Sequence, residues 1–541
     1  MRGVTRSRVP LSWWGWGDPA LVPELPEAAR SLLREGLGVT AGLSRPGSAA
    51  EIELAPVRLP TGLAARFVSV VGEAHASDEH EDRLRHALGK STPDLLVLRG
   101  QRRPPLPAPD LVLAPASHEE VVELLALASE SEVAVVPFGG GTSVVGGLTP
   151  RRGGWIALDL RRLDALVELD ETSRIAVLEP GLRGPDAEAL LGERGYTIGH
   201  FPQSYEYATL GGFAAARSSG QASAGYGRFD ELVLGVRLAT PAGTLELGRA
   251  PRSAAGPDLR QLVLGSEGAF GVITRLTVAV RPLPPARVYE GWRFTSFAEG
   301  AAALRGLVQD GPRPTVLRLS DEAETALNLA RPAELGTGNG GCLAIVGFEG
   351  ESAEVDARRA AVSERLRGAS AAIDLAAGEA WSAGRFHGPY LRDALLDAGA
   401  LVETLETACF WSRLPELYAA VSGALRAALE AAGTPPVILC HISHVYPAGA
   451  SLYFTVGAAA AADPIAQWRA AKRAAGDAML AAGATITHHH GVGRDHAPWL
   501  EGEIGALGVA ALRAVKRTLD PAGIMNPGVL IDREVTDGRT G

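Results

Sequence analysis

Cysteine is scarce in this chain: Cys342, Cys409 and Cys440 are the only three in 541 residues. So few, with no C-x-x-C spacing, exclude a disulfide framework and a cysteine zinc site, and they fit a reducing compartment. Cys409 and Cys440 read as buried apolar residues. Positive charge is in deficit too. With 52 Lys+Arg against 62 Asp+Glu the formal net charge is −10 and the pI near 5.7, which excludes a general nucleic-acid binder. No apolar run approaches the ~20 residues of a membrane span. The basic opening "MRGVTRSRVPLSWWGWGDP" lacks an apolar stretch of signal-peptide length. What is present is a globular composition, 46% hydrophobic and 21% charged, and enough chain for two to four units at ~150 residues each. A cytoplasmic protein is expected. Trp13, Trp14 and Trp16 are expected to pack onto the body, with peripheral contact to a membrane surface as the alternative.

The texture of the chain changes along its length. Residues 1–105 read as mainly helical, and "RRPPLPAPD" (102–110) is a Pro-rich break. Strand candidates follow at 133–138, 155–160, 174–181, 232–247 and 271–284, with a hairpin around Pro241–Gly243. From about 286, helical blocks (297–309, 322–330, 351–367, 413–432, 463–482) alternate with strands at 342–350 and 450–458, which predicts an α+β layer of sheet covered by helices. The stretch 333–342 is glycine-broken and reads as a surface loop, with a mobile cover over the site as the functional alternative. Expected divisions are 1–105, 106–285, 286–500 and 501–541.

"VVPFGGGTSVVGG" (135–147) places Pro137, Gly139, Gly140, Gly141, Thr142 and Ser143 on a strand-to-loop turn. Consecutive glycines let backbone amides approach phosphate oxygens, and the two hydroxyls can donate to the same anion. It is neither G-x-G-x-x-G nor a P-loop, so alone it is as much a tight turn as a binding loop. "HFPQSYEYATLGG" (200–212), the small-residue run through Ser218 and Ser219, and "GSEGAFGVIT" (265–274) supply two more such loops. Together the three resemble the FAD-binding half of flavoproteins of the vanillyl-alcohol oxidase and p-cresol methylhydroxylase type. That resemblance implies a two-subdomain FAD-binding domain plus an α+β substrate domain with an antiparallel sheet. It makes Pro137, Gly139 to Ser143, Gln203, Thr209, Gly211, Gly212, Ser218, Ser219, Glu267, Gly271 and Ile273 cofactor contacts. The first loop offers no His or Cys, and His200 reads as a strand-end histidine, so FAD is expected to be held non-covalently.

The second half must carry the substrate chemistry. "THHHGVGRDH" (487–496) puts His488, His489 and His490 in a row, and in an extended loop at most two of them share a face. Many relatives of this flavin fold are D-2-hydroxyacid dehydrogenases, whose strand and loop supply two His and a Glu to a divalent metal. Here "AGASLYF" (448–454) has Tyr453 where the second His would stand, and His489 replaces the Glu, so no metal is expected. The triplet with "GVG", the strand Tyr453, "LRLSDE" with Arg318, "YLRD" with Arg392 and the opening "WWGWGDP" instead resemble the alkyldihydroxyacetonephosphate synthases, over about residues 13–530. A terminal "TLDPAGIMNPGVL" (518–530) resembles that superfamily's return toward the flavin.

The resemblance implies a redox-neutral exchange. The acyl group of an acyl-dihydroxyacetone phosphate is replaced by a long-chain alcohol through a flavin N5 adduct, so the partners are small lipid substrates and the expected assembly is a homodimer. It makes Tyr453 the acid/base, its ordinary pKa of ~10 lowered by positive charge on the histidines. Arg318 and Arg392 suit bidentate anion binding. His441 and His444 of "CHISH" (440–444) are expected on one strand face, His444 toward the substrate, with a core role the equal alternative. An FAD-dependent D-2-hydroxyacid dehydrogenase or oxidase is the competing enzyme reading, and a flavin-binding lipid-interaction protein the non-enzymatic one.

Overall fold

The computed structural model describes residues 11–100, 105–327, 340–368 and 372–531. Two sheets form the N-terminal half. In the first, strands β1 (Ala76–Ser77), β2 (Leu111–Leu113), β3 (Ala134–Phe138) and β4 (Trp155–Asp159) lie in the order β1-β2-β4-β3, with β2, β4 and β3 parallel. The helix His118–Glu130, capped by Ser117 Oγ, covers this sheet through Val121, Leu124, Leu125 and Ala128. In the second, β5 (Leu166–Asp170), β6 (Ile175–Leu178), β8 (Val233–Thr240), β9 (Gly243–Leu247) and β10 (Val272–Ala279) make an antiparallel sheet in the order β5-β6-β10-β8-β9. A small pair, β7 (Tyr196–Thr197) with β11 (Arg281–Pro282), flanks it. The hairpin expected at 241–243 is the β8–β9 turn.

The C-terminal half is one seven-stranded antiparallel sheet, ordered β15-β12-β14-β13-β17-β18-β16. Its strands are β12 (Ala286–Phe294), β13 (Val316–Ser320), β14 (Cys342–Gly350), β15 (Ala372–Asp374), β16 (Ala400–Phe410), β17 (Val437–Val445) and β18 (Gly449–Ala459). The period-2 alternation of these strands separates two faces. Leu317, Leu319, Cys440, Ile442, Leu452, Phe454 and Val456 are 4% exposed or less and enter one core. The helices Phe297–Asp310, Ser352–Gly368, Leu414–Ala431 and Pro464–Ala481 supply its other side. The intervening residues, Arg318, His441, Tyr453 and Thr455 among them, face the N-terminal half. The α+β architecture is the expected one, and the helical blocks at 297–310, 352–368, 414–431 and 464–481 fall within a residue or two of their sequence spacing. The glycine-broken stretch 333–342 lies mostly outside the described residues.

After the helical stretch Ala497–Leu519, which is broken by a kink at Gly505, the chain returns to the first sheet. Val135 donates its amide to the Ile524 carbonyl and accepts from Asn526 N, both at 2.8 Å. Among the described residues no helix is long and apolar enough to cross a membrane. Trp16 is buried against Tyr207 and Tyr390, and Trp13 and Trp14 pack beside Leu84 and Leu98.

Candidate active site

One cavity of about 470 Å³ lies between the two halves. All fifteen residues expected to contact the cofactor line it: Pro137, Gly139 to Ser143, Gln203, Thr209, Gly211, Gly212, Ser218, Ser219, Glu267, Gly271 and Ile273. The first loop is built to keep its backbone bare. A Cβ on Gly140 would meet the Tyr207 carbonyl at 2.1 Å, and one on Gly139 would meet Thr209 Oγ1 at 2.4 Å, so only glycine lets the loop lie this close to the 207–209 segment. Among the described residues the amides of Gly140, Gly141 and Thr142 donate to no protein acceptor, and Asn526 presents an unpartnered buried Oδ1 to the same cavity. Bare amides beside small residues suit a pyrophosphate and an aromatic ring system with polar edges, so the residues present fit FAD.

Several of the expected hydroxyls are already engaged. Ser143 Oγ accepts from Gly147 N (3.1 Å), Thr209 Oγ1 caps the helix Leu210–Ala216, Ser218 Oγ pairs with His200 Nε2 (3.0 Å), and Ser219 Oγ with His444 Nδ1 (3.1 Å). His200 does not line the cavity. Its ring is packed against Phe213 and Phe229, and burial pushes it down to about 3.

The opposite wall is the inward face of the seven-stranded sheet. Tyr453 stacks on His441, ring centroids 4.9 Å apart, and lies parallel to His489 at 6.2 Å with His490 edge-on at 5.7 Å. Tyr453, His489, His490, Arg318, Arg392 and His444 all line the cavity; His488 does not. It turns behind the wall, Nε2 paired with Tyr446 OH at 2.7 Å. Alternating sides in the triplet thus put two imidazoles in the cavity. His441 and His444 are three residues apart and belong on opposite faces of a regular strand. A register shift between Ile442 and Val445 in the β17–β18 ladder brings both to the cavity.

The electrostatics differ from the sequence expectation. Burial pushes His489 down and His490 to about 3, against the pull of Glu406. His488 and His444 are held well below the ordinary histidine value by the same burial. Neutral imidazoles cannot lower a phenol, and burial raises the Tyr453 hydroxyl to about 12 although Thr404 and Arg392 pull against it. The expected cationic cradle around a tyrosinate is therefore a cluster of neutral rings around a protonated tyrosine.

Two glutamates shape the histidine loop. Glu406, 1% exposed on β16, accepts from the amides of His488 (2.5 Å), His489 (3.2 Å) and His490 (3.0 Å) and from Thr487 Oγ1 (2.5 Å). Burial alone would raise its pKa; the attraction of any imidazole of the triplet that takes up a proton, His489 first, and the Thr487 hydroxyl pull it well below the ordinary carboxylate range. Glu267 Oε2 takes the amides of Val492 and Gly493, each at 2.8 Å, and burial raises it to about 7. Sequence reasoning missed Glu406 altogether. Its one signal is a glutamate at the inward parity of a strand, alongside Val402 and Thr404.

Arg318 is committed. It hydrogen-bonds the buried Glu324, which also takes His441 Nδ1 at 2.8 Å. Burial would raise the Glu324 carboxyl, but His441 and Arg318 hold it far below the usual range. Arg392 donates to the Lys90 carbonyl (2.9 Å) and pairs with the fully buried Asp393 at 3.4 Å. Asp393 also accepts the Trp16 amide (2.5 Å), while Lys90 Nζ donates to the Ser12 (2.5 Å) and Trp13 (3.3 Å) carbonyls and Lys90 N to Ser143 O (2.6 Å). The tryptophan-rich opening is thereby tied at once to the glycine loop and to Arg392.

The donor atoms of His444, His488 and His489 lie within 4.8 Å of one another. Each has a hydrogen-bond partner, Ser219 and Ser223 for His444, Tyr446 for His488, and His488 Nδ1 for His489 Nδ1. The nearby carboxylate, Glu406, is saturated by amides, so the set lacks the oxygen ligand of a hard-metal site.

Cavity, loops and sheet together define an FAD-binding flavoprotein of the p-cresol methylhydroxylase type. A family model described as "FAD binding domain" matches residues 109–248, and one described as "FAD linked oxidases, C-terminal domain" matches 283–530. The fold of p-cresol methylhydroxylase superposes with a TM-score of 0.69 at 15% identity, covering 88% of this chain and 98% of that one. The alkyldihydroxyacetonephosphate synthase of Dictyostelium discoideum is 34% identical over 479 aligned residues, 84% of this chain and 78% of its own. That of Trypanosoma brucei brucei is 32% identical over 587, covering 100% and 95%. A solved alkyldihydroxyacetonephosphate synthase superposes with a TM-score of 0.81 at 28% identity, covering 97% of this chain and 100% of that one. The chain belongs to the alkyldihydroxyacetonephosphate synthase family.

Proposed function

We propose that this protein exchanges the acyl group of an acyl-dihydroxyacetone phosphate for a long-chain alcohol, with no net oxidation or reduction. The C1–acyl oxygen bond breaks to release a carboxylate, a C1–O bond to the alcohol forms, and the alcohol's proton leaves with the products. Bound, non-covalent FAD supplies the electron-accepting, nucleophilic ring on which such an exchange depends.

The observation that carries this reading is Tyr453 stacked between His441 and His489, with His490 edge-on, across the cavity from the glycine loops. A protonated tyrosine beside neutral imidazoles is a donor–acceptor set. His489 or His490 takes a proton from C1 and returns it to C1 once the alcohol oxygen is bonded, while Tyr453 donates a hydrogen bond to the oxygen that gains charge. A phosphate dianion brought into the cavity raises the nearby imidazoles toward their charged form, which couples substrate binding to proton uptake. Arg392 and Arg318 contribute positive potential to that wall, and His444 and His488 hold the ring cluster in place. A cytoplasmic homodimer with its lipid substrates reached at a membrane surface is part of the same proposal.

The test is incubation of the FAD-loaded protein with palmitoyl-dihydroxyacetone phosphate and hexadecanol, with the lipid products read by mass spectrometry. The alkyl ether and free palmitate are expected in equal amounts. Stoichiometric flavin bleaching by D-lactate or D-2-hydroxyglutarate, with no ether formed, would establish the dehydrogenase reading instead.

A further inference from the structure

Among the described residues three arginines line the cavity, and they are not equivalent. Arg318 is paired with Glu324, and Arg392 with Asp393. Arg385, between the helices Leu375–Gly384 and Gly388–Asp397, has no carboxylate within 4 Å among the described residues. Its Nη1 is buried with no hydrogen-bond partner. An uncompensated guanidinium with a buried orphan donor is costly unless something else completes it.

The side chain is held in place rather than free to seek solvent. Its Cζ lies over the rings of Phe386 (4.9 Å), Phe201 (5.2 Å) and Trp381 (5.8 Å), and Phe386 in turn stacks on Tyr205. The Arg385 carbonyl accepts from Gln221 Nε2 at 3.1 Å, which leaves Gln221 Oε1 as a second buried atom without a partner on the same wall. A buried unpaired donor of the guanidinium and a buried unpaired acceptor, on residues joined by one hydrogen bond and lining one cavity, match an anionic oxygen group with a hydroxyl near it.

We propose that Arg385 and Gln221 form the subsite that binds the anionic oxygen group of the substrate, the role that the sequence pattern gives to Arg318 and Arg392. This rests on the ether-forming reading for what the anion is: either the phosphate or the departing carboxylate presents the same chemistry to a guanidinium. The aromatic bed fixes the fork, and the paired arginines supply background potential rather than the contact.

The test uses the FAD-loaded protein and reads binding, not turnover, so it stands whether or not ether is formed. Inorganic phosphate and octanoate are titrated separately against wild type, Arg385→Met, Arg385→Lys and Gln221→Leu, and the flavin absorbance shift reports the dissociation constant. Arg385→Met is expected to weaken one probe about tenfold or more, Arg385→Lys less, and Gln221→Leu a few-fold. Selective loss of phosphate assigns the phosphate arm, and selective loss of octanoate assigns the carboxylate arm. Equal loss of both means one fork serves both and also supports the subsite. Unchanged affinity of Arg385→Met for both probes overturns it, as does a loss that only tracks weakened FAD binding.

Discussion

Glu406 and Tyr453 are register partners across the β16–β18 ladder, so the residue that shapes the histidine loop and the residue that those histidines surround are fixed by one strand pair. Glu406→Gln keeps the size but removes the charge and half of the acceptor capacity. It is expected to lower turnover at least tenfold and stability by about 2 kcal/mol while FAD stays bound. Because the native carboxyl titrates far below its unfolded value of ~4.5, its stabilisation is complete above that pH and fades as pH falls below it. Thermal unfolding of wild type and variant should therefore converge as pH drops beneath about 4.5; parallel curves would show that the carboxylate charge is not what holds the loop.

Tyr453→Phe removes one hydroxyl and leaves the ring stack with His441 intact. Turnover is expected to fall roughly 10²- to 10⁴-fold with the flavin spectrum unchanged. A variant that retained the wild-type rate would remove Tyr453 from the chemistry.

Glu267 has the opposite sign from Glu406. Its native pKa is raised to about 7, so the folded state holds a proton that the unfolded state releases between ~4.5 and 7, and stability falls as pH rises through that window. Glu267→Gln still accepts the Val492 and Gly493 amides through its carbonyl oxygen. Its melting temperature should lose that slope and exceed wild type near pH 8. Differential scanning fluorimetry from pH 4 to 8 reads both effects.

Lys90→Met cuts the ties to the Ser12 and Trp13 carbonyls. Limited proteolysis is expected to cleave the 11–18 segment several-fold faster, and because Arg392 leans on the Lys90 carbonyl, the KM for the phosphate substrate should rise more than kcat falls. Lys90→Arg should restore part of the protection.

Dialysis against EDTA, followed by elemental analysis, tests the histidine cluster directly. Retained FAD and activity with sub-stoichiometric zinc, iron and manganese are expected. Loss of activity restored by one divalent ion would make His444, His488 and His489 ligands.

The glycine loops, Tyr453 and two of the three histidines were legible because each is carried by a short local motif whose chemistry does not depend on distant partners. Glu406, Glu324 and Asp393 were not. An acidic residue in a strand or helix reads as a solvated face, and only the fold shows that Asp393 meets the Trp16 amide 377 residues away or that Glu406 lies under a loop about eighty residues on. The inward turn of His444 depends on a bulge with no sequence mark of its own. The protonation states were misread for one reason: burial was invisible, and burial is the largest influence on every imidazole of the cluster and on Tyr453.

Asn526 Nδ2 donates to the Gly147 carbonyl (3.0 Å) across 379 positions and to Glu267 O (2.8 Å), so a turn late in the chain ties two flavin loops together. The cradle cannot close before residue 526 has been made. At ~5–20 residues per second, the glycine loop waits on the order of 20–80 s for its final strap. A nascent chain stalled anywhere before residue 526 is therefore a chain without a finished nest for its flavin.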